Sequence, residues 1–151
     1  MLTRDGIRTL EFNARFGDPE AQVVLPRLQS DFVALALAAA KGGLASHPDL
    51  RWSQQACVGV VVASGHYPDD VAMTFGHRIH GLTEMPPGVR IFHAGTRYEP
   101  GVGLVTDGGR VVTSVGVGDT VAEARETALA GARQLRFEGA FFRSDIAEEA
   151  I

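Results

Sequence analysis

Apolar and polar positions alternate at the start of the chain, give way to helical spacing, and later run continuously apolar. Between Ile7 and Asn13, Leu10 and Phe12 fall on one face of an extended strand and Glu11 and Asn13 on the other. Asp5-Gly6 is a two-residue turn signal, so Met1–Arg4 and Ile7–Asn13 are expected to pair as a hairpin with Leu10 and Phe12 turned to a core. A hairpin with no lead-in makes Met1 read as an interior residue of a longer protein. Gly17 lets the backbone turn; Asp18 can cap a helix, Pro19 suits its first position, and Glu20 suits its positive end. Pro19–Leu28 is then a short helix that Pro26 bends or ends. Ser30 is placed to cap a second helix, Asp31–Lys41, with Phe32, Leu35 and Ala36 at helical spacing and Gly42-Gly43 as its stop. Its alanine-rich run, Ala34–Ala40, reads as a closely packed helix.

His47-Pro48-Asp49 has the composition of a linker, and a boundary falls between Gly42 and Ser53, dividing the chain into 1–45 and 46–151. Beyond it, Ala56–Ser64 is unbroken apolar and β-branched sequence, as in a strand buried on both faces. A loop at Gly65–Asp70 precedes weaker strands at Arg78–His80 and Val89–His93, separated by a Pro86-Pro87-Gly88 turn. Leu104–Thr106 and Arg110–Val117 are expected to form a hairpin around Asp107-Gly108-Gly109. Thr120-Val-Ala-Glu123 is a capping box, opening a helix with Val121, Ala124, Ala128, Ala132 and Leu135 on one face. Phe137–Phe142 reads as a last strand and Ser144–Ile151 as a helical tail. The order gives an α+β fold: a hairpin plus helices, then a small antiparallel-rich α/β domain with one good covering helix.

Composition narrows the function classes. In 151 residues, 45% apolar and 21% charged, there is room for one domain, or one small domain with a piece of another. A formal charge of −4 with scattered basic residues gives no reason to expect nucleic acid. No apolar run approaches the about 18 residues of a membrane span, and the first six residues carry no signal-peptide core. The lone Cys57 leaves no internal disulfide and suits a reducing cytosol; it sits in an apolar run, where thiols are inert.

The candidate chemistry is concentrated in residues 11–20. A carboxylate and an amide oxygen two residues apart on one strand face are hard donors, of the kind Mg²⁺ accepts alongside substrate phosphates. Arg15 continues that face with a planar cation suited to phosphate or carboxylate. Taken alone, Glu-x-Asn is more often the wet face of a strand, and helix capping accounts for Asp18 and Glu20 equally well. His66, His77, His80 and His93 have no zinc-ligand spacing, but His93 ends an apolar strand where a turn could bring it to a cleft. Gly108-Gly109 is not followed by the strand–loop–helix arrangement of a phosphate loop.

The string Leu10-Glu-Phe-Asn-Ala-Arg-Phe-Gly-Asp-Pro-Glu20, with Gln22 and Leu25-Pro-Arg-Leu28, resembles the end of the ATP-grasp domain of the phosphoribosylamine–glycine ligase family. His93-Ala-Gly-Thr96, Thr106-Asp-Gly-Gly-Arg-Val111 and Gly118-Asp-Thr-Val-Ala-Glu-Ala124 resemble the C-terminal domain of the same ligases. The similarity runs from about Leu2 to Ile146 and lapses in the tail Ala147–Ile151. It implies a cytoplasmic enzyme of purine biosynthesis joining 5-phosphoribosylamine to glycine with ATP as substrate and Mg²⁺ or Mn²⁺ as metal. Glu11 and Asn13 match the family's metal ligands and Asp18 and Glu20 its substrate side, while Arg15 would act as the catalytic cation that steadies the transferred phosphate. His93 is a substrate-side candidate only from its place at the end of an apolar strand, where a structural histidine is the commoner reading. The upstream lysines and glycine-rich loop that hold ATP in such folds are not in this sequence, so the N-terminal remainder of the ligase is the implied partner. The alternatives are a non-catalytic fragment or module that docks with a separate ATP-binding half, and a different ATP-grasp ligase or carboxylase, against which Gly-Asp-Pro-Glu and His-Ala-Gly-Thr argue.

Overall fold

The protein is described from a computed structural model covering residues 1–65, 67–69 and 75–150. Its centre is a four-stranded antiparallel sheet in the order β4-β7-β3-β8, built from β3 (Ala56–Ser64), β4 (Arg90–His93), β7 (Arg110–Gly118) and β8 (Ala140–Phe141). A helix, α3 (Val121–Gln134), covers one face. The register sets Val58 opposite Gly116, Val60 opposite Ser114 and Val62 opposite Val112, so these six share a face. Val58, Val60, Val62 and Val112 form one buried cluster with Ala124, Ala128, Leu129 and Ala132 of α3. The antiparallel α+β arrangement and the covering helix are therefore as expected. Ala56–Ser64, expected to be buried on both faces, instead buries Val58, Val60 and Val62 under α3 and leaves Cys57, Gly59 and Val61 half-buried on the other face. The helix lies close because its contact residues are small, and the buried Ser114 hydroxyl is satisfied by donating to Ala128 O at 2.8 Å.

The start of α3 follows its sequence signal. Thr120 Oγ1 accepts the Glu123 N–H at 3.1 Å, while Glu123 Oε2 reaches back to the Asp119 N–H at 2.9 Å. Replacing Thr120 with Ala is expected to cost about 1 kcal/mol of stability through the lost cap. Melting curves that superimpose on those of the parent would mean the cap contributes nothing.

Two strand assignments need correction. Leu104–Thr106 is a strand within β6 (Gly103–Thr106), yet it pairs with β5 (Thr96–Glu99) in a separate two-stranded sheet and not with β7. Asp107-Gly108-Gly109 is thus a crossing between sheets, not a hairpin turn. The reason is a backbone-on-backbone contact at Gly95: a Cβ there would lie 2.7 Å from Gly108 Cα and 2.9 Å from Arg110 O. Asp107 N–H donates to Gly95 O, and Gly95 N–H to Arg110 O, each at 2.8 Å, which turns the chain out of one sheet and into the other. Arg78 and His80 make isolated bridges, to Val105 and Arg136, and do not form a strand. The last strand shortens to Ala140–Phe141, and the tail reduces to a 3-10 turn at Glu148–Ala150. Of the predicted loop Gly65–Asp70, His66 and Asp70 lie outside the described residues, as does Ile151 of the tail.

The first 45 residues differ more. The hairpin is confined to β1 (Leu2–Thr3) and β2 (Gly6–Ile7), and residues 8–14 carry no regular structure. Leu10 is 71% and Phe12 92% exposed, so the face expected to enter a core does not. No strand among the described residues pairs with this segment, and without a ladder its alternation has nothing to bury against. The first helix is α1 (Glu20–Val24), continued by a 3-10 turn at Leu25–Arg27 that contains Pro26. The second, α2 (Phe32–Ala40), is capped by Asp31, whose carboxylate accepts from Val33 N at 2.8 Å and Ala34 N at 3.0 Å. Ser30 instead accepts the Arg51 N–H at 2.8 Å and ties down the linker. Gly42 and Gly43 do end this helix, donating to Ala39 O and Ala38 O in the paired pattern that a left-handed glycine allows. The expected close packing is absent, since no residue of α2 is buried. Phe32 meets Phe16 edge-on, with ring centroids 5.7 Å apart, and the alanine run faces solvent.

Candidate functional site

The turn from Asn13 to Glu20 leads into α1, and α1 lies across the sheet face opposite α3. Gly59 makes that approach possible, because a Cβ on it would sit 2.8 Å from Val23 Cγ1. Between α1 and the edge strand β4 a cleft of about 490 Å³ opens, lined by Gly17, Asp18, Ala21, Gln22, Leu25, Pro26, Arg90, Phe92 and His93. Two residues singled out in the sequence as substrate-side, Asp18 and His93, are 75 positions apart and meet here (93 − 18). A second concavity, also about 490 Å³, is lined by Asn13, Ala14, Arg15, Phe16 and Glu20. Glu11 lines neither; it lies on the irregular segment just before it.

Local hydrogen bonds shape the turn. Asn13, with its amide oriented to satisfy both ends, donates to Arg15 O at 2.7 Å and accepts from Arg15 Nη1 at 3.3 Å. Arg15 Nη1 also donates to Phe16 O at 3.1 Å. Asp18 does not cap α1: Pro19 occupies that position and no side chain bonds there. The Asp18 carboxylate accepts from Gln22 Nε2 at 2.7 Å and pairs with Arg110 Nη2 at 3.3 Å, while Arg110 Nη1 donates to Asp18 O at 2.8 Å. Glu20 folds back to accept the Gly17 N–H at 3.1 Å, which holds the turn closed.

Arg110 is the residue at this turn that sequence reasoning missed. It stands in the Thr106–Val111 string, but nothing in local spacing reveals that the start of β7 reaches back 92 residues to the turn. His93 Nδ1 lies 3.2 Å from Thr96 Oγ1, a contact set by the turn that follows β4. Of the other histidines, His77 pairs with Glu138 at 3.1 Å, which accounts for it structurally. Cys57 is half-buried, and burial pushes its thiol up against the weaker opposing pull of Arg90 and Arg27. No helix among the described residues is long and apolar enough to cross a membrane.

Comparison with known proteins defines the class. The model of the family "Phosphoribosylglycinamide synthetase, C domain" matches residues 57–149, and the chain belongs to that family. The whole chain is 44% identical to a phosphoribosylamine–glycine ligase of Caulobacter vibrioides and 42% identical to one of Halalkalibacterium halodurans, covering 35% and 34% of their lengths. It also superimposes on a crystal structure of the phosphoribosylamine–glycine ligase of Thermotoga maritima, with a TM-score of 0.76, 37% identity, and coverage of 97% of this chain and 35% of that one. The chain thus spans about a third of the length of the relatives it matches.

Proposed function

We propose that this chain is the C-terminal part of an ATP-dependent ligase that joins 5-phosphoribosylamine to glycine in purine biosynthesis, in the cytoplasm. The observation that carries the reading is similarity over the full chain, including the Glu11–Glu20 turn that precedes the matched family domain. Residues 1–45 would close an ATP-grasp domain and 46–151 form the C-terminal domain. The uncovered apolar side chains of the first part (Leu10, Phe12, Val33, Leu37) are what a missing neighbouring layer would cover, so the N-terminal remainder of the ligase is the natural partner.

In this reading the glycine carboxylate attacks the γ-phosphate of ATP, forming an O–P bond as ADP leaves. The amine of phosphoribosylamine then attacks the acyl carbon and expels phosphate. Such chemistry is mostly positioning and charge neutralisation. Glu11 and Asn13 are exposed hard-oxygen donors whose chemistry fits Mg²⁺, or Mn²⁺, and they would hold it. The ion supplies neutralisation of the nucleotide's phosphate charge. Arg15, beside Asn13, presents a guanidinium fork suited to the transferred phosphoryl oxygens. The Asp18–Arg110 pair fixes the turn relative to the C-terminal sheet, so that Glu20 and the cleft residues keep their orientation toward substrate.

The test is turnover. The isolated 151-residue chain should release no ADP with ATP, glycine and phosphoribosylamine, whereas the chain joined to the N-terminal two thirds of a ligase of this family should, with dependence on all three. Substrate-dependent ADP release by the isolated chain, or none by the joined protein, would overturn the reading. The second outcome would favour the non-catalytic docking module.

A further inference from the structure

The cleft between α1 and β4 contains a cation that the fold does not use. Arg90 lines it from the free edge of the sheet, and among the described residues it has no hydrogen-bond or ion-pair partner. The one carboxylate among the residues lining it is already spoken for. Asp18 gives one carboxylate oxygen to Gln22 and the other to Arg110, so its charge is matched before Arg90 is counted. Arg90 and Arg27 both stand close enough to Cys57 to pull on its thiol, which puts a second guanidinium in the neighbourhood. Arg27 donates to Ser53 O at 3.1 Å, while its Nε is buried without a partner. The cleft therefore carries an uncompensated positive field. It also carries a buried acceptor with nothing to accept from, Gln22 Oε1.

The walls complete the picture. Ala21, Leu25, Pro26 and Phe92 are apolar, and about 490 Å³ lies within the range of small-molecule sites. Glycine would leave such a space mostly empty. The ATP phosphates belong, in the reading above, with Asn13 and Arg15 in the other concavity. What remains is a sugar phosphate, with a dianion for Arg90, hydroxyls for Gln22 Oε1 and the His93 imidazole, and a carbon skeleton for the apolar wall.

Resting on the ligase reading, we infer that this cleft holds the phosphoribosyl substrate, with Arg90 receiving its 5-phosphate. A planar guanidinium on a sheet edge can engage two phosphate oxygens at once, a geometry that an ammonium cannot reproduce. Arg90 is a binding residue and takes no part in the transfer itself.

The experiment uses the joined, complete enzyme and the variants Arg90→Gln and Arg90→Lys, with ribose 5-phosphate and inorganic phosphate as direct calorimetric probes. Loss of one charge-assisted contact is worth at least about tenfold in affinity. Arg90→Gln should raise KM for phosphoribosylamine by that factor or more, leave KM for ATP and glycine within about twofold, and lower kcat far less. Arg90→Lys should recover part of the loss. Ribose 5-phosphate should bind the parent and lose at least about tenfold in Arg90→Gln, while inorganic phosphate binds much more weakly to both. An unchanged KM for phosphoribosylamine in a folded Arg90→Gln enzyme overturns the inference, as does inorganic phosphate binding as tightly as ribose 5-phosphate. If the parent shows no ligase turnover, the ligase reading fails separately. Arg90-dependent binding of ribose 5-phosphate would then still support the site, and its absence would end it.

Discussion

Glu11→Gln in a complete enzyme carrying this segment is expected to lower turnover by at least about a hundredfold while leaving the melting temperature nearly unchanged. Glu11 is exposed and holds no part of the fold, so the substitution should shift stability by less than about 0.5 kcal/mol. It preserves the side-chain shape and one oxygen but removes the negative charge that draws a hard cation. Metal arriving with ATP would then be poorly placed, and misplacement by about an ångström can cost roughly a hundredfold. Partial recovery should follow at high Mg²⁺ or with Mn²⁺, which accepts the same oxygen donors. Asn13→Asp should be milder, since an oxygen remains at the same place beside Arg15. Turnover measured against Mg²⁺ concentration decides the matter. If Glu11→Gln keeps the parent's activity and metal dependence, Glu11 is only the wet side of an extended segment.

That prediction depends on a stretch whose candidate chemistry was nominated from the sequence and whose structure was not legible there. The alternation of Leu10, Glu11, Phe12 and Asn13 is a genuine strand pattern, yet a strand is defined by its neighbours, and among the described residues none flanks it. The second helix shows the same limit. Its span and its Gly42-Gly43 stop follow from local backbone chemistry and were readable, whereas its burial depends on what lies against it. Where the partners lie close in the chain, reading did better: β3 buries Val58, Val60 and Val62 under α3, although Cys57, Gly59 and Val61 on its other face are only half-buried, and α3 is capped by Thr120. The β6–β7 hairpin failed because Asp107-Gly108-Gly109 looks like a turn in isolation, and only Gly95, over a dozen residues earlier, makes it a crossing between sheets. In the cleft, Asp18 and His93 could be nominated from their strings. Their meeting, and the Arg110 clamp on Asp18, arise from tertiary packing that no local spacing encodes.

The largest loss of stability is expected at Gly116, a position with no role in the cleft. Gly116 lies on the face of β7 that receives α3, opposite Val58. A Cβ there would run into Ala124 O, and would lie 2.5 Å from Ala128 N and 2.7 Å from Thr127 Cβ. Two of these three atoms are helix backbone, which cannot rotate aside as a side-chain tip can. Gly116→Val therefore has to lift α3 from the sheet and open the cluster in which Val58, Val60 and Val62 pack on Ala128, Leu129 and Ala132. Overpacking costs typically about 1–3 kcal/mol, and a clash with backbone belongs at or above the top of that range. At about 3 kcal/mol the melting temperature should fall by roughly 10 °C. Gly43→Ala is the control. Its backbone has an ordinary φ of −96°, and the nearest atom to a new Cβ is Ala38 O at 3.6 Å, so this substitution should stay within about 0.5 kcal/mol of the parent. A Gly116→Val protein that melts within about 2 °C of the parent would show that α3 does not rest on β7 at this point, and the two-layer core would have to be redrawn.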